Sequence, residues 1–271
     1  MTINKKKLFR VVKILLLIYA SIGIALYYLQ EKLLFHPEKL ESSYIFKFDQ
    51  KFEELSIPFN AEDTLSLIKF LPPDPVRRGV VVYYHGNMKN ITHYAEFAKP
   101  FTKAGYEVWM EDYPGFGKSK GERTEKKMYE QAIEVKRMAD AKYHADSIII
   151  YGKSLGTGIA AYVASASHAK LLVLETPYYS IPALFGTYAF IYPVSQMSTY
   201  KIPTYKYVEE VDFPVVIFHG TRDNVIPLSC AEKLKKQLKP ADKFIIVPGA
   251  DHRDINRSTI YYRVMDSLLL K

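Results

Sequence analysis

The chain has 271 residues, with 37 Lys and Arg against 29 Asp and Glu for a formal charge of +8, and 48% of it is hydrophobic. That length suits a single α/β unit. Lys5, Lys6, Lys7, Arg10 and Lys13 precede the first acid, Glu31, so much of the excess charge is terminal and the remainder shows no basic stripe of the kind nucleic acid requires. Cys230 stands alone, which excludes an intramolecular disulfide and a cysteine-based zinc cluster; it reads as a small packed apolar residue.

From Ile14 to Leu29 the chain carries no charge. The run is slightly short of the ~20 residues a bilayer core asks for, and snorkelling of Arg10 and Lys13 extends it. Tyr27 and Tyr28 fall where an interfacial aromatic belt is expected, and the basic cluster predicts a cytoplasmic N-terminus. The expected organisation is a single-pass anchor over residues 1–34 and an extracytoplasmic domain over residues 35–271. A cleavable signal peptide is the competing reading. Its charged start and apolar run have the right order, yet no A-x-A pattern follows, and Ser21 and Gly23 come too early.

Beyond Pro37, "FEELSIPF" and "TLSLIKFL" read as an antiparallel pair around the turn "NAED". "GVVVYYHG" is a continuous apolar strand, followed by a helix from about Ile91 to Ala104. "YEVWMEDYPG" is the next strand, and Thr124 opens a helix that ends near Tyr143. "SIIIYG", "LLVLETP", "FPVVIFHG" and "KFIIVPG" repeat the pattern, each ending in Gly or Pro. Continuous Val/Ile/Leu runs mark strands buried on both faces, so the fold class is α/β with a mostly parallel sheet between helix layers. Residues 178–212, rich in Tyr and Pro, interrupt the alternation and are expected to form a small cap over the carboxyl edge.

The stretch "YGKSLGTG" carries the strongest chemical signal. A tight strand-to-helix turn pushes the residue at its tip towards positive φ and crowds its neighbours, so Gly152 and Gly156 flank Ser154 in a nucleophile-elbow pattern at a helix N-terminus. A serine hydroxyl needs a base, and the base needs an acid to fix its tautomer. Asp223 in "HGTRDNVIP" and His252 in "GADHRD" follow later strands in the expected order of nucleophile, acid and histidine. Asp223 as a turn cap and His252 as a solvated loop residue are the bland alternatives. Asp251, Asp254 and Glu175 are secondary acids.

A developing oxyanion needs preorganised donors. The backbone N–H of Leu155 is one, and "YYHGNMKN" offers the N–H of Asn87 as the other. Gly86 permits close backbone approach. His85 beside it reads as structural rather than catalytic, and it joins Gly86, Tyr178 and Tyr179 as candidate substrate-contacting positions. The aromatic set Tyr178, Tyr179, Phe185, Tyr188, Phe190 and Tyr192 reads either as ordinary core under a cap or as the lining of an acyl channel. Asp112, Tyr113 and Gly115 shape the loop beside the cleft.

On these motifs the chain resembles the Bem46-like, membrane-anchored α/β-hydrolases related to the serine aminopeptidase S33-type enzymes. "QEKLLFHP" resembles their post-anchor segment, "YYHGN" their oxyanion loop, "DYPGFGKSKG" their strand-end loop, and "YGKSLGTG", "HGTRDNVIP" and "GADHRD" their elbow, acid and histidine loops. Lys153 replaces a frequent arginine and Asp251 a frequent glycine. The resemblance implies an α/β-hydrolase fold and serine hydrolase chemistry on acyl substrates, with no cofactor and no metal. The expected partners are a small-molecule or lipid acyl substrate and the membrane, for a chain acting as a monomer. An aminopeptidase stays open, needing an acid for the substrate amine, with Glu111 or Asp112 as candidates; so does a non-catalytic scaffold.

Overall fold

The structure, a computed structural model, describes residues 5–75 and 77–269. It opens with α1 (Lys5–Leu34), a 30-residue helix whose apolar stretch is uncovered and long enough to cross a bilayer. Tyr27 and Tyr28 stack edge to face on its exposed side.

Eight strands then form one sheet. In chain order they are β2 (Phe52–Pro58), β3 (Thr64–Phe70), β4 (Gly79–Tyr84), β6 (Tyr106–Glu111), β7 (Ile148–Lys153), β8 (Leu171–Glu175), β9 (Val215–Gly220) and β10 (Lys243–Val247). A separate two-residue ladder joins β1 (His36–Pro37) to β5 (Met88–Lys89). The spatial order of the large sheet is β10-β9-β8-β7-β4-β6-β3-β2, with β3 antiparallel to both of its neighbours, β2 and β6, and every other pairing parallel.

The continuous apolar runs behave as expected. Val80, Val82, Ile148 and Ile150 face one layer, while Val81, Tyr83, Ile149 and Tyr151 face the other. The first layer contains α4 (Glu125–Asp140), α5 (Gly156–Ser165) and α8 (Thr204–Glu210); the second contains α3 (Lys99–Lys103) and α10 (Thr259–Leu269). Thr124 caps α4 by accepting from the Lys127 N–H. The helix expected over 91–104 is broken: α2 (Ile91–Tyr94) passes through a 3₁₀ turn, Ala95–Ala98, before α3.

The tyrosine-rich segment, 178–212, holds three short helices. Its last helix, α8, packs on α5 as part of the regular layer. Its first two, α6 (Ile181–Tyr188) and α7 (Val194–Met197), lie against α1, and the Tyr188 hydroxyl at the end of α6 donates to the Asn224 and Val225 carbonyls of the Asp223 loop. Tyr192 stacks on Tyr19 at 4.6 Å, each hydroxyl donates to a carbonyl on the other side, and Gln30 Nε2 donates to the Met197 carbonyl. A segment with so many apolar aromatic faces needs an apolar partner, and α1 supplies one.

The candidate active site

After visiting β6 on one side of β4, the chain crosses to β7 on the other. Neighbouring strand ends therefore lead away in opposite directions and leave a crevice between them. Ser154 leaves β7 into that crevice, and Gly86 and Asn87 leave β4 beside it.

Ser154 sits at φ 53°, the left-handed region. The turn is tight enough that a Cβ on Gly152 would lie 2.5 Å from the Gly156 carbonyl oxygen, and one on Gly156 would lie 2.0 Å from the Tyr84 carbonyl oxygen. The two glycines thus serve close approach, and the serine itself takes the strained backbone. Thr157 donates both its N–H, at 2.9 Å, and its hydroxyl, at 2.6 Å, to the Ser154 carbonyl.

His252 arrives from the loop after β10, and its Nε2 lies 2.9 Å from Ser154 Oγ. Its Nδ1 lies 2.8 Å from Asp223 Oδ2. An ionised carboxylate only accepts, so Nδ1 carries the hydrogen and Nε2 is left to accept from the serine hydroxyl. The second oxygen of Asp223 accepts from the N–H groups of Val225, at 2.9 Å, and Ile226, at 2.7 Å. One carboxylate therefore orders its own loop and orients the imidazole. Burial works to raise the Asp223 pKa; the His252 hydrogen bond and charge, the Ile226 N–H and His219 outweigh it and hold the carboxyl below its usual range.

The residues around the cleft divide sharply. Gly86, Asn87, Met88, Lys89, His93, Tyr94, Phe97, Lys153, Arg253 and Arg257 line a cavity of about 390 Å³ together with Ser154 and His252. The Asn87 side chain is committed elsewhere, its Nδ2 donating to the Leu34 carbonyl, and the Asn87 backbone carbonyl accepts from the His36 N–H. Asn87 is thereby tied to the exit of α1, beside the β1–β5 pairing. Leu155 begins the turn into α5 as expected.

Three of the candidate substrate-contacting residues lie outside the lining of this cavity. His85 is fully buried: Nδ1 donates to the Gly86 carbonyl, Nε2 lies 3.4 Å from Asp112, and the ring stacks on Tyr94. Tyr178 is buried beneath α5 and donates its hydroxyl to the Leu155 carbonyl. Tyr179 stacks on Tyr205 at 4.4 Å. In each case the aromatic ring is packed against a neighbouring group of the fold. Phe185 and Tyr188 line a separate apolar cavity of about 220 Å³ against α1, which does not include Ser154, and Phe190 is exposed.

The secondary acids are also accounted for. Glu175 is buried against Lys153 and accepts from the Tyr151 hydroxyl. Asp251 and Asp254 accept from the N–H groups of Arg253 and Asp251 and so shape the histidine loop. Asp112 accepts from the Ile91 N–H under the cleft floor, and Glu111 is wholly buried, its pKa raised by burial and then by Asp112. Neither acid faces the cleft where a substrate amine would have to be met.

What the sequence reading missed is the chemistry of the cleft wall. Lys89, Arg253 and Arg257 are scattered along the chain and meet only here; the local signal was their closeness to the Asn87 and His252 loops.

Comparison with known proteins agrees with this architecture. The family described as "Serine aminopeptidase, S33" matches residues 75–207, a span that contains Ser154 but neither Asp223 nor His252. Alpha/beta hydrolase domain-containing protein 17C of Xenopus tropicalis is 28% identical over 194 residues, 69% of this chain and 60% of that protein. An uncharacterised protein of Mycobacterium tuberculosis is 24% identical over 176 residues, 64% of this chain and 63% of that protein. The chain thus spans somewhat under two thirds of the curated relatives it matches. Among solved structures, an esterase of Pyrococcus furiosus superposes with a TM-score of 0.65 at 19% identity, covering 88% of this chain and 97% of the esterase. A soluble variant of monoglyceride lipase from Saccharomyces cerevisiae gives 0.61 at 16% identity, covering 84% and 97%.

Proposed function

We propose that this chain, which has the fold of the α/β-hydrolases, is a membrane-anchored serine hydrolase that cleaves carboxylic ester or thioester bonds of acyl substrates. The reading rests on one observation: a serine at φ 53° on a strand-to-helix turn, with an imidazole nitrogen 2.9 Å from its hydroxyl and a buried carboxylate 2.8 Å from the other nitrogen. His252 takes the hydroxyl proton as Ser154 Oγ attacks the acyl carbon. Asp223 keeps the imidazole in the accepting tautomer and stabilises the imidazolium. The N–H groups of Leu155 and Asn87 receive the oxyanion. His252 then returns the proton to the leaving alcohol or thiol, and water releases the acyl group by the same steps in reverse order.

An amide-cleaving aminopeptidase is disfavoured by the cleft wall, where cations stand in place of the acid a substrate amine needs. In this proposal α1 spans the membrane with residues 35–271 on the extracytoplasmic side, and the charges from Lys5 to Lys13 stay cytoplasmic. A fluorophosphonate probe tests the chemistry: labelling at Ser154, abolished in Ser154→Ala together with p-nitrophenyl ester turnover, is the expected result. A folded wild-type protein that takes no label sinks the reading. Protease access to a C-terminal tag in intact cells tests the orientation.

A further inference from the structure

Of the groups that line the Ser154 cleft, four carry a fixed positive charge, Lys89, Lys153, Arg253 and Arg257, and none is Asp or Glu. Lys153 is neutralised by the buried Glu175. The other three are exposed and, among the described residues, make no ion pair with their side chains. They come from two separate loops, Lys89 from β5 and the two arginines from the segment after His252, so no single local motif explains their meeting.

The acids near these cations are engaged elsewhere. Asp251 and Asp254 accept from backbone N–H groups of their own loop, and neither side chain reaches Arg253 or Arg257. Glu38, beyond Lys89, is the acid that partly offsets the field at His93. That field is felt: the His93 imidazole is held below its ordinary pKa, first by burial and then by Lys89, His85 and Arg253. Three like charges gathered around one cavity repel each other, and an anion from outside relieves that cost.

We propose that the cleft selects acyl substrates bearing an anionic group, a carboxylate or phosphate, which Lys89, Arg253 and Arg257 receive while the acyl carbon faces Ser154. The guanidinium pair suits a planar or tetrahedral oxyanion through bidentate donation, and Lys89 adds a point charge opposite. This specificity rests on the serine hydrolase reading, and it leaves open whether the anion sits on the acyl chain or on the alcohol.

The experiment uses the full chain in neutral detergent micelles. One arm compares p-nitrophenyl hexanoate with the p-nitrophenyl monoester of hexanedioic acid, placing the charge on the acyl side. The other compares a 1-acylglycerol with the matching 1-acylglycerol 3-phosphate, placing it on the alcohol side. In at least one arm the anionic substrate should show the higher kcat/KM, with the preference shrinking as salt rises. The triple variant Lys89→Gln, Arg253→Gln, Arg257→Gln should lower the anionic-to-neutral ratio roughly tenfold. A control that removes three charges away from the cleft, Lys51→Gln, Lys103→Gln, Lys243→Gln, should leave that ratio as it is. A ratio at or below one in both arms, or one the control shifts as much as the cleft variant, overturns the proposal while the hydrolase reading survives. If no ester is turned over and Ser154 takes no label, the hydrolase reading has failed. Calorimetric titration of the Ser154→Ala protein with hexanedioate against hexanamide then decides the anion site by itself: binding of the dianion alone supports it, and equal or absent binding ends it.

Discussion

Asp223→Asn separates the two duties of one side chain. In the folded loop, Oδ1 accepts from the Val225 and Ile226 N–H groups, at 2.9 and 2.7 Å, while Oδ2 faces His252 Nδ1. An asparagine has a single oxygen. Placing it on the two backbone donors keeps the loop, at about 1 kcal/mol for each bond retained, and turns the NH₂ group towards His252. Two donors cannot face each other, so the imidazole shifts its hydrogen to Nε2 and no longer accepts from Ser154. The expected loss is about 10⁴-fold in kcat, or about 5.4 kcal/mol of barrier, with the Tm near that of the wild type. Asp223→Ala should lose similar activity and also lower the Tm, because both N–H groups are left without a partner. Steady-state ester hydrolysis beside a thermal scan measures both quantities. Turnover within tenfold of wild type in a folded Asp223→Asn protein would refute the argument that Asp223 sets the tautomer.

Other outcomes follow from the same geometry. Gly156→Ala places a methyl 2.0 Å from the Tyr84 carbonyl oxygen; since backbone must move, a loss of about 3 kcal/mol is expected, read as a drop in Tm of about 6–12 °C. Lys153→Ala strands the Glu175 carboxylate, which is 1% exposed, in the interior. Chemical denaturation should show a loss of about 3–5 kcal/mol, largely recovered in Lys153→Met, Glu175→Gln, and an additive double variant would contradict the pairing. Glu111 has a raised pKa in the fold, so its penalty is absent below the unfolded value of ~4.3 and grows as pH rises towards the folded value. Glu111→Gln should therefore raise the Tm more at pH 8 than at pH 5; an equal gain at both would argue against an ionisation cost. Asp223 has the opposite sign: its carboxyl is held low, so the stability it contributes is present above ~3.9 and is lost only as pH falls through its depressed folded value.

Local physics made much of this molecule legible in its sequence. A run such as "GVVVYYHG" is buried on both faces wherever it lies, and Gly152 and Gly156 are required by backbone crowding within five residues of each other. The charge-free stretch of α1 likewise needs no tertiary partner to be read. The candidate triad was legible because each member follows a strand, and strand ends of a parallel sheet share one edge. The aromatic residues were not, since a tyrosine ring packs equally well on a helix, a neighbouring ring or a ligand, and only the fold decides which surface reaches it first. Tyr178 went under α5 and Tyr192 onto α1 for that reason. The three cations around the cleft were invisible for a related reason: Coulomb repulsion acts through space, and residues 89, 253 and 257 become neighbours only once β4 and the last strand of the sheet have been placed.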